Sequence, residues 1–304
     1  MILRRLLLMP VLLLVIYTVT FVLAWMIPGN PLQWPEQRRP SAQVEQAMKE
    51  RYNLDNPVRF YWQYLDRVVT RGDFGPSLHY QDWTVGEILK AALPVSVQLG
   101  LAAIVMALLI GTGAGVVGAL RPGTLLDHAT LSLALVGISL PTFVTGSALL
   151  ILFAVWIPLL PVGGWGSVSQ LIGPAFVLSL PFAAYIARLT RLGMVEVMTS
   201  DFIRTARAKG LPMRRVVMYH AMKVAFLPVL SFLGPAAAAA MTGSFVVEKV
   251  FNIPGMGQHF VDAVLNKDLF LIMGVVLVYA AMLIVFNLLV DLAYTLVDPR
   301  IDPA

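Results

Sequence analysis

Residues 201–211, reading DFIRTARAKGL between two long apolar segments, carry the clearest capacity for chemistry in this chain, and that chemistry is recognition rather than bond-making. Ser200 or Asp201 can cap the start of a short helix, and Gly210 followed by Pro212 is a helix-stop arrangement. At the helical period Phe202, Ile203, Ala206 and Gly210 share one face, with Arg204, Arg207 and Leu211 on another. Small residues at Ala206 and Gly210 would let a partner surface approach the backbone closely. The stretch, with Thr205 inside it, reads as a basic helix built to engage another protein.

Elsewhere, groups able to react or titrate are sparse. An ionisable side chain at the bilayer centre costs roughly 2.5–3.5 kcal/mol on insertion scales, so those within apolar segments stand out. Asn287 and Asp291 lie one turn apart on the last apolar segment, and Tyr294 and Asp298 continue that face. Asp291 reads as a cap or an ion-pair partner for a loop arginine, or as a group in gating or solute passage. Glu248 and Lys249 end the fifth segment, either as gate residues or as snorkelling ends. No phosphate-binding G-x-x-x-x-G-K-[ST] loop, H-E-x-x-H zinc pair or G-x-S-x-G elbow occurs. The four histidines, His79, His128, His220 and His259, are far apart, and there is no cysteine. The chain therefore has no P-loop with which to hydrolyse ATP, and neither an intramembrane enzyme nor a bound cofactor or metal is expected.

These residues are carried by an all-α integral membrane protein. Of 304 residues 58 % are hydrophobic and 13 % charged, with mean hydropathy +0.78, well beyond the roughly 45–50 % apolar content of a soluble domain. A net charge of +5 would suggest nucleic acid in a soluble chain. Here the cations cluster in loops beside apolar runs, as membrane topology requires, and no nucleic-acid partner is expected. Six stretches reach the roughly 20 residues needed to cross a bilayer: 6–27, 97–120, 129–156, 171–187, 224–247 and 269–297. The first is too long for a signal-peptide core and lacks a small-x-small cleavage site, so it is read as retained. Between 188 and 223 stand Arg188, Arg191, Arg204, Arg207, Lys209, Arg214, Arg215 and Lys223 against Glu196 and Asp201. That loop is expected in the cytoplasm, with both termini on the same side.

Residues 31–96 form the one sizeable extramembrane region, expected outside as a small helical cap with amphipathic helices after Ser41 and from Pro57. Its aromatics, Phe60, Tyr61, Trp62, Tyr64, Phe74, Tyr80 and Trp83, read as contacts for substrate or a docking protein, or as anchors at the lipid headgroups. Gly111, Gly115 and Gly118 give the second span a close-packing face. Pro141, Pro174, Pro181, Pro228 and Pro235 are expected to kink the spans that hold them. The domain division expected is 1–30 as the first span, 31–96 as the cap and 97–304 as the five-span core. Ion-coupled carriers place ionisable or unwound segments near the midplane, often within inverted repeats, and neither is evident here.

Arg204-Thr205-Ala206-Arg207-Ala208-Lys209-Gly210 sits where permease subunits of ABC importers carry an E-A-A-x-x-x-G loop, and the stretch from Asp201 resembles the version in oligopeptide and dipeptide permeases. Gly72-Asp73-Phe74-Gly75-Pro76-Ser77, Thr242-Gly243-Ser244 through Pro254-Gly255-Met256-Gly257, and Val297-Asp298-Pro299-Arg300-Ile301 resemble the B-type subunit of the oligopeptide permease. The similarity covers essentially the whole chain. Arg204 stands where the family motif has glutamate, Thr205 where it has its first alanine, and Met222-Lys223 where many members have Leu-Pro.

The resemblance implies a type I ABC importer permease architecture, six transmembrane helices with an extracytoplasmic cap, in the bacterial inner membrane. It implies that 201–211 is a coupling helix fitting a cleft in an ATPase subunit through Phe202, Ile203, Arg204, Thr205, Ala206, Arg207, Gly210 and Leu211. Implied partners are a C-type permease subunit in a heterodimer, a homodimer being the alternative, two cytoplasmic ATPase subunits, and an extracytoplasmic peptide-binding protein. Thr242, Ser244, Glu248, Asn287 and Asp291 become candidates for the translocation path or gate. Importers of nickel complexes or glutathione share this architecture and remain alternatives for the cargo, as does a scaffold or channel for the class.

Overall fold

The computed structural model describes residues 2–32, 41–80, 82–242 and 245–297, with side chains at 7–32, 41–80, 82–242, 245–290 and Leu292. Ser244, Gly243 and residues 298–301 lie outside the described residues, as does the side chain of Asp291. Among the described residues the fold is all-α. The helices are α1 Ile2–Met26, α2 Ala42–Tyr52, α3 Pro57–Arg71, α4 Val85–Leu120, α5 Leu125–Ser139, α6 Thr142–Leu150, α7 Val168–Val197 and α8 Asp201–Ala208. They continue with α9 Met213–Arg215, α10 Met222–Ala225, α11 Leu227–Thr242, α12 Phe245–Val250, α13 Met256–Leu265 and α14 Leu269–Val297. One π-helical turn, Ile151–Trp156, extends α6, and another, Val216–Ala221, joins α9 to α10.

Among the described residues five stretches are long and apolar enough to cross a membrane singly: Leu7–Met26, Val85–Leu120, Val168–Val197, Leu227–Val250 and Leu269–Val290. The third span expected over 129–156, with a kink at Pro141, is a pair, α5 and α6, bent by 103°. The cause is local. Leu140 is extended (φ −83°, ψ 128°), the conformation favoured for a residue that precedes proline, and Pro141 starts the new helix with its carbonyl accepting from the Val144 and Thr145 N–H groups. Pro174 and Pro181, by contrast, sit inside α7 without ending it. That helix is longer than the 171–187 expected. It opens on a capping box between Ser167 and Gln170, which ties up backbone donors of its first turn.

The residues group into two units, Met1–Val95 with Gly255–Met282, and Ser96–Pro254 with Leu283–Ala304. The first unit groups residues 41–95 with α1 and with α13 and the start of α14. Its core joins Tyr17 and Phe21 of α1, Phe60 and Tyr64 of α3, the start of α4, and Met256 to Val275 of α13 and α14. Most of the aromatics expected at a surface build this core. Phe60 lies 5.9 Å from Tyr64 and 5.2 Å from Phe270 between ring centroids, and Tyr52 meets Phe270 edge-on at 5.4 Å. Burying each is worth about 1.5–3 kcal/mol. Trp62 and Trp83 alone of the seven stay exposed.

A buried carboxylate knots this unit. Asp268 accepts from the Ser77 hydroxyl at 2.5 Å and from the N–H groups of Leu78, His79 and Leu271 at 2.9, 3.1 and 3.2 Å. Burial pushes its carboxyl above the usual value, and these donors oppose that shift. The loop that presents Ser77 is the Gly72–Ser77 motif noted in sequence.

In the second unit α4 and α7 approach backbone to backbone. A Cβ at Gly111 would lie 2.5 Å from the Ala183 carbonyl oxygen, and one at Gly115 2.6 Å from that of Ala187. Gly118, a turn further, instead faces Asp127 and Thr130 of α5. Against the α4–α7 pair α11 packs Val229 between Ala107, Ala183 and Ile186, with Ala236 and Ala240 beside Ile104.

Candidate functional site

The helix expected at 201–211 is present as α8. Ser200 takes the N-cap position, but its hydroxyl donates back to the Val197 carbonyl at 2.6 Å, so neither it nor Asp201 supplies a side-chain cap. Asp201 in the first turn still complements the positive end of the helix. It also accepts from Arg204 Nη1 at 3.3 Å in an exposed pair, an interaction worth little when so solvated. At the far end Gly210 adopts φ +74° and donates to the Arg207 carbonyl at 2.9 Å, and Pro212 begins the next helix. A left-handed residue here is glycine's province.

The structure corrects which face is free. Ile203 is fully buried and Ala206 nearly so, packed with Ala119 of α4, Met194 and Val197 of α7, and Val216 and Val217 of the π turn. The small residue expected to admit a partner, Ala206, is turned into the chain's own interior. What remains exposed is Phe202, at 45 %, with Arg204, Thr205, Arg207, Lys209 and Gly210, while Leu211 is half-buried. Thr205 spends its hydroxyl on the Asp201 carbonyl at 3.0 Å. The face expected to hold Phe202, Ile203, Ala206 and Gly210 together is thus divided, the middle pair covered and the outer pair exposed.

Among the described residues the other candidates, Thr242, Glu248 and Asn287, do not gather into one lining. Glu248 is fully buried on α12, with Ser96 of α4 donating to its Oε1 at 2.7 Å, so it does not snorkel. Ser96 carried no sequence signal, being one serine in an apolar run. Thr242 donates to the Ala238 carbonyl at 2.8 Å. Asn287 of α14 faces Gly234 of α11, where a Cβ would stand 2.9 Å from its Oδ1. Gly234 precedes Thr242 by eight residues, about 12 Å along a helix.

Comparison with known proteins matches two family profiles. Residues 103–303 match the family described as binding-protein-dependent transport system inner membrane component. Residues 1–99 match the N-terminal region of binding-protein-dependent transport system membrane components. The chain is 42 % identical over 290 residues to the oligopeptide transport system permease protein OppB of Salmonella typhimurium, covering 94 % of each chain. It is 45 % identical over 289 residues to the dipeptide transport system permease protein DppB of Bacillus subtilis, covering 95 % of this chain and 93 % of that one. The DppB of Lactococcus lactis is 38 % identical over 301 residues, 99 % of this chain and 98 % of its own.

Proposed function

This chain belongs to the family of binding-protein-dependent transport system inner membrane components, and from that premise we propose that it conducts oligopeptides or dipeptides into the cell as one of two membrane subunits of an ABC importer. It is an ABC importer permease, a multi-pass protein of the inner membrane. The peptide cargo is carried over from the names of OppB and DppB relatives that match nearly end to end.

The observation that carries the mechanism is the one-sided burial of α8. One side is sealed into a cluster with the π turn Val216–Ala221, the inner end of α7 and Ala119 of α4, and the other offers Phe202 among cations. A helix seated in this way is rigidly joined to two spans while keeping a surface for a second protein. In the proposed cycle an extracytoplasmic binding protein delivers the peptide, and two separate ATPase subunits close on ATP. Their displacement of α8 then tilts the spans. The 188–223 segment and both termini face the cytoplasm on this reading, with a C-type permease completing the pore. Glu248, held against Ser96, serves as a gate tie between α12 and α4.

The test is purification of the tagged chain from native membranes in mild detergent, with the stoichiometry of everything retained. A second permease and two P-loop ATPase chains are expected. A lone or self-paired chain that leaves peptide uptake unchanged when deleted would sink the proposal.

A further inference from the structure

The sequence singled out no role for Asp127, and the α8 surface does not use it. Yet it is almost fully buried, in a chain that buries few charges. Its Oδ1 accepts from Arg191 Nε at 2.5 Å and its Oδ2 from Arg191 Nη2 at 2.7 Å, a two-pronged pair. The Gly123 N–H adds a third bond to Oδ2 at 2.9 Å. Gly118 of α4 makes the room, since a Cβ there would stand 3.1 Å from Asp127 Oδ1. Among the described residues this is the one polar tie between α5 and α7.

Its position is informative. Arg191 lies one turn before Met194 and two before Val197, which share a buried cluster with Ile203 and Ala206 of α8 and with Val216 and Val217 of the π turn. Asp127 lies in the first turn of α5, whose other end is the 103° corner at Pro141. A buried ion pair is a poor source of net stability, because desolvation offsets its attraction. What a two-pronged guanidinium–carboxylate contact supplies is a fixed mutual orientation of the two helices that hold it.

We propose that the Asp127–Arg191 pair is a strut that passes displacement of α8 from α7 into the bent α5–α6 pair, a positioning element for transport. It rests on the importer reading above. When α7 shifts with α8, the start of α5 must follow, and the corner at Pro141 converts that shift into movement of α6. Without the strut α7 still moves, but among the described residues α5 then meets it only through apolar contacts that can slide, with the 121–124 loop to α4 as its remaining tether.

The test uses the full complex, permease pair with ATPase subunits, in proteoliposomes with peptide-loaded binding protein. It measures ATP hydrolysed per peptide imported for the wild type, Asp127→Asn and Arg191→Lys. Yield and melting temperature of the assembled complex are recorded beside it. The strut requires that assembled variants still hydrolyse ATP in response to loaded binding protein while the ATP used per peptide rises about tenfold, in the range of ordinary coupling between sites. Arg191→Lys, which keeps the charge and loses the fork, should lie between wild type and Asp127→Asn. A merely structural pair would lower assembly, hydrolysis and import together and leave the ratio unchanged, which overturns the proposal. Failure of both variants to assemble overturns it equally. A wild-type chain that recruits no ATPase at all would strike down the importer reading, and the strut with it.

Discussion

Replacing Phe202 by alanine separates the two faces of α8. The side chain is 45 % exposed, and a phenylalanine offers about 200 Å², so about 90 Å² awaits a partner. At about 25 cal/mol per Å² that area is worth about 2 kcal/mol on docking, or about thirtyfold in affinity. Ile203 next to it is fully buried, and its truncation should instead cost the chain about 2–5 kcal/mol of its own stability. The assay titrates ATPase subunits onto the permease pair in nanodiscs and records the melting temperature of each variant. Phe202→Ala should weaken recruitment with melting unchanged, and Ile203→Ala should lower melting first. If Phe202→Ala recruits ATPase as tightly as wild type, the exposed face is not the docking face and the two-sided account of α8 fails.

Gly210 has open space around a notional Cβ but a left-handed backbone. Gly210→Ala should therefore cost about 1–2 kcal/mol in strain, while Gly210→Asn should keep the melting temperature and still impede ATPase recruitment. An asparagine variant that recruits normally would assign the glycine to backbone geometry alone. Asp268→Asn places an amide N–H against one of four donors and should cost about 1–3 kcal/mol, read as a lower melting temperature. Because the folded-state pKa of Asp268 is raised, its fold binds the proton more tightly than the unfolded chain does. The stability it contributes is full below the ordinary aspartate value of 3.8 and is lost as pH rises through the raised one. That slope should vanish in Asp268→Asn and can be read as the difference between the two melting-versus-pH curves. Gly115→Ala would press a methyl to 2.6 Å from the Ala187 carbonyl oxygen, an overpacking of about 1–3 kcal/mol that chemical denaturation in detergent would register.

Apolar run length revealed where the spans lie, because crossing a bilayer demands about 20 apolar residues whatever their neighbours. The end of α8 at Gly210 and Pro212 was legible for a similar reason, since left-handed glycine and proline are local signals. Which face of α8 is covered was not legible. Ile203 and Ala206 are buried by Ala119, Met194 and Val217, so the answer rests on other helices. Pro141 breaks its helix and Pro181 does not, although the sequence expectation was the same for both. The partners of Glu248 and Asp268, Ser96 and Ser77, stand 152 and 191 residues away. No pattern of period two or 3.6 reports such distances.

The contact between α4 and α7 has a mechanical consequence. Where Gly111 and Gly115 of α4 meet the Ala183 and Ala187 carbonyls and the Ile186 and Thr190 side chains of α7, no α4 side chain cushions the contact, so a slide of a fraction of a turn would drive larger α4 residues into α7. Such a pair behaves as a single beam. Bending in this unit is then expected where the helical rod is already interrupted, as at the corner at Pro141. On the strut proposal, a push at α8 would reach that corner only by way of α7 and α5.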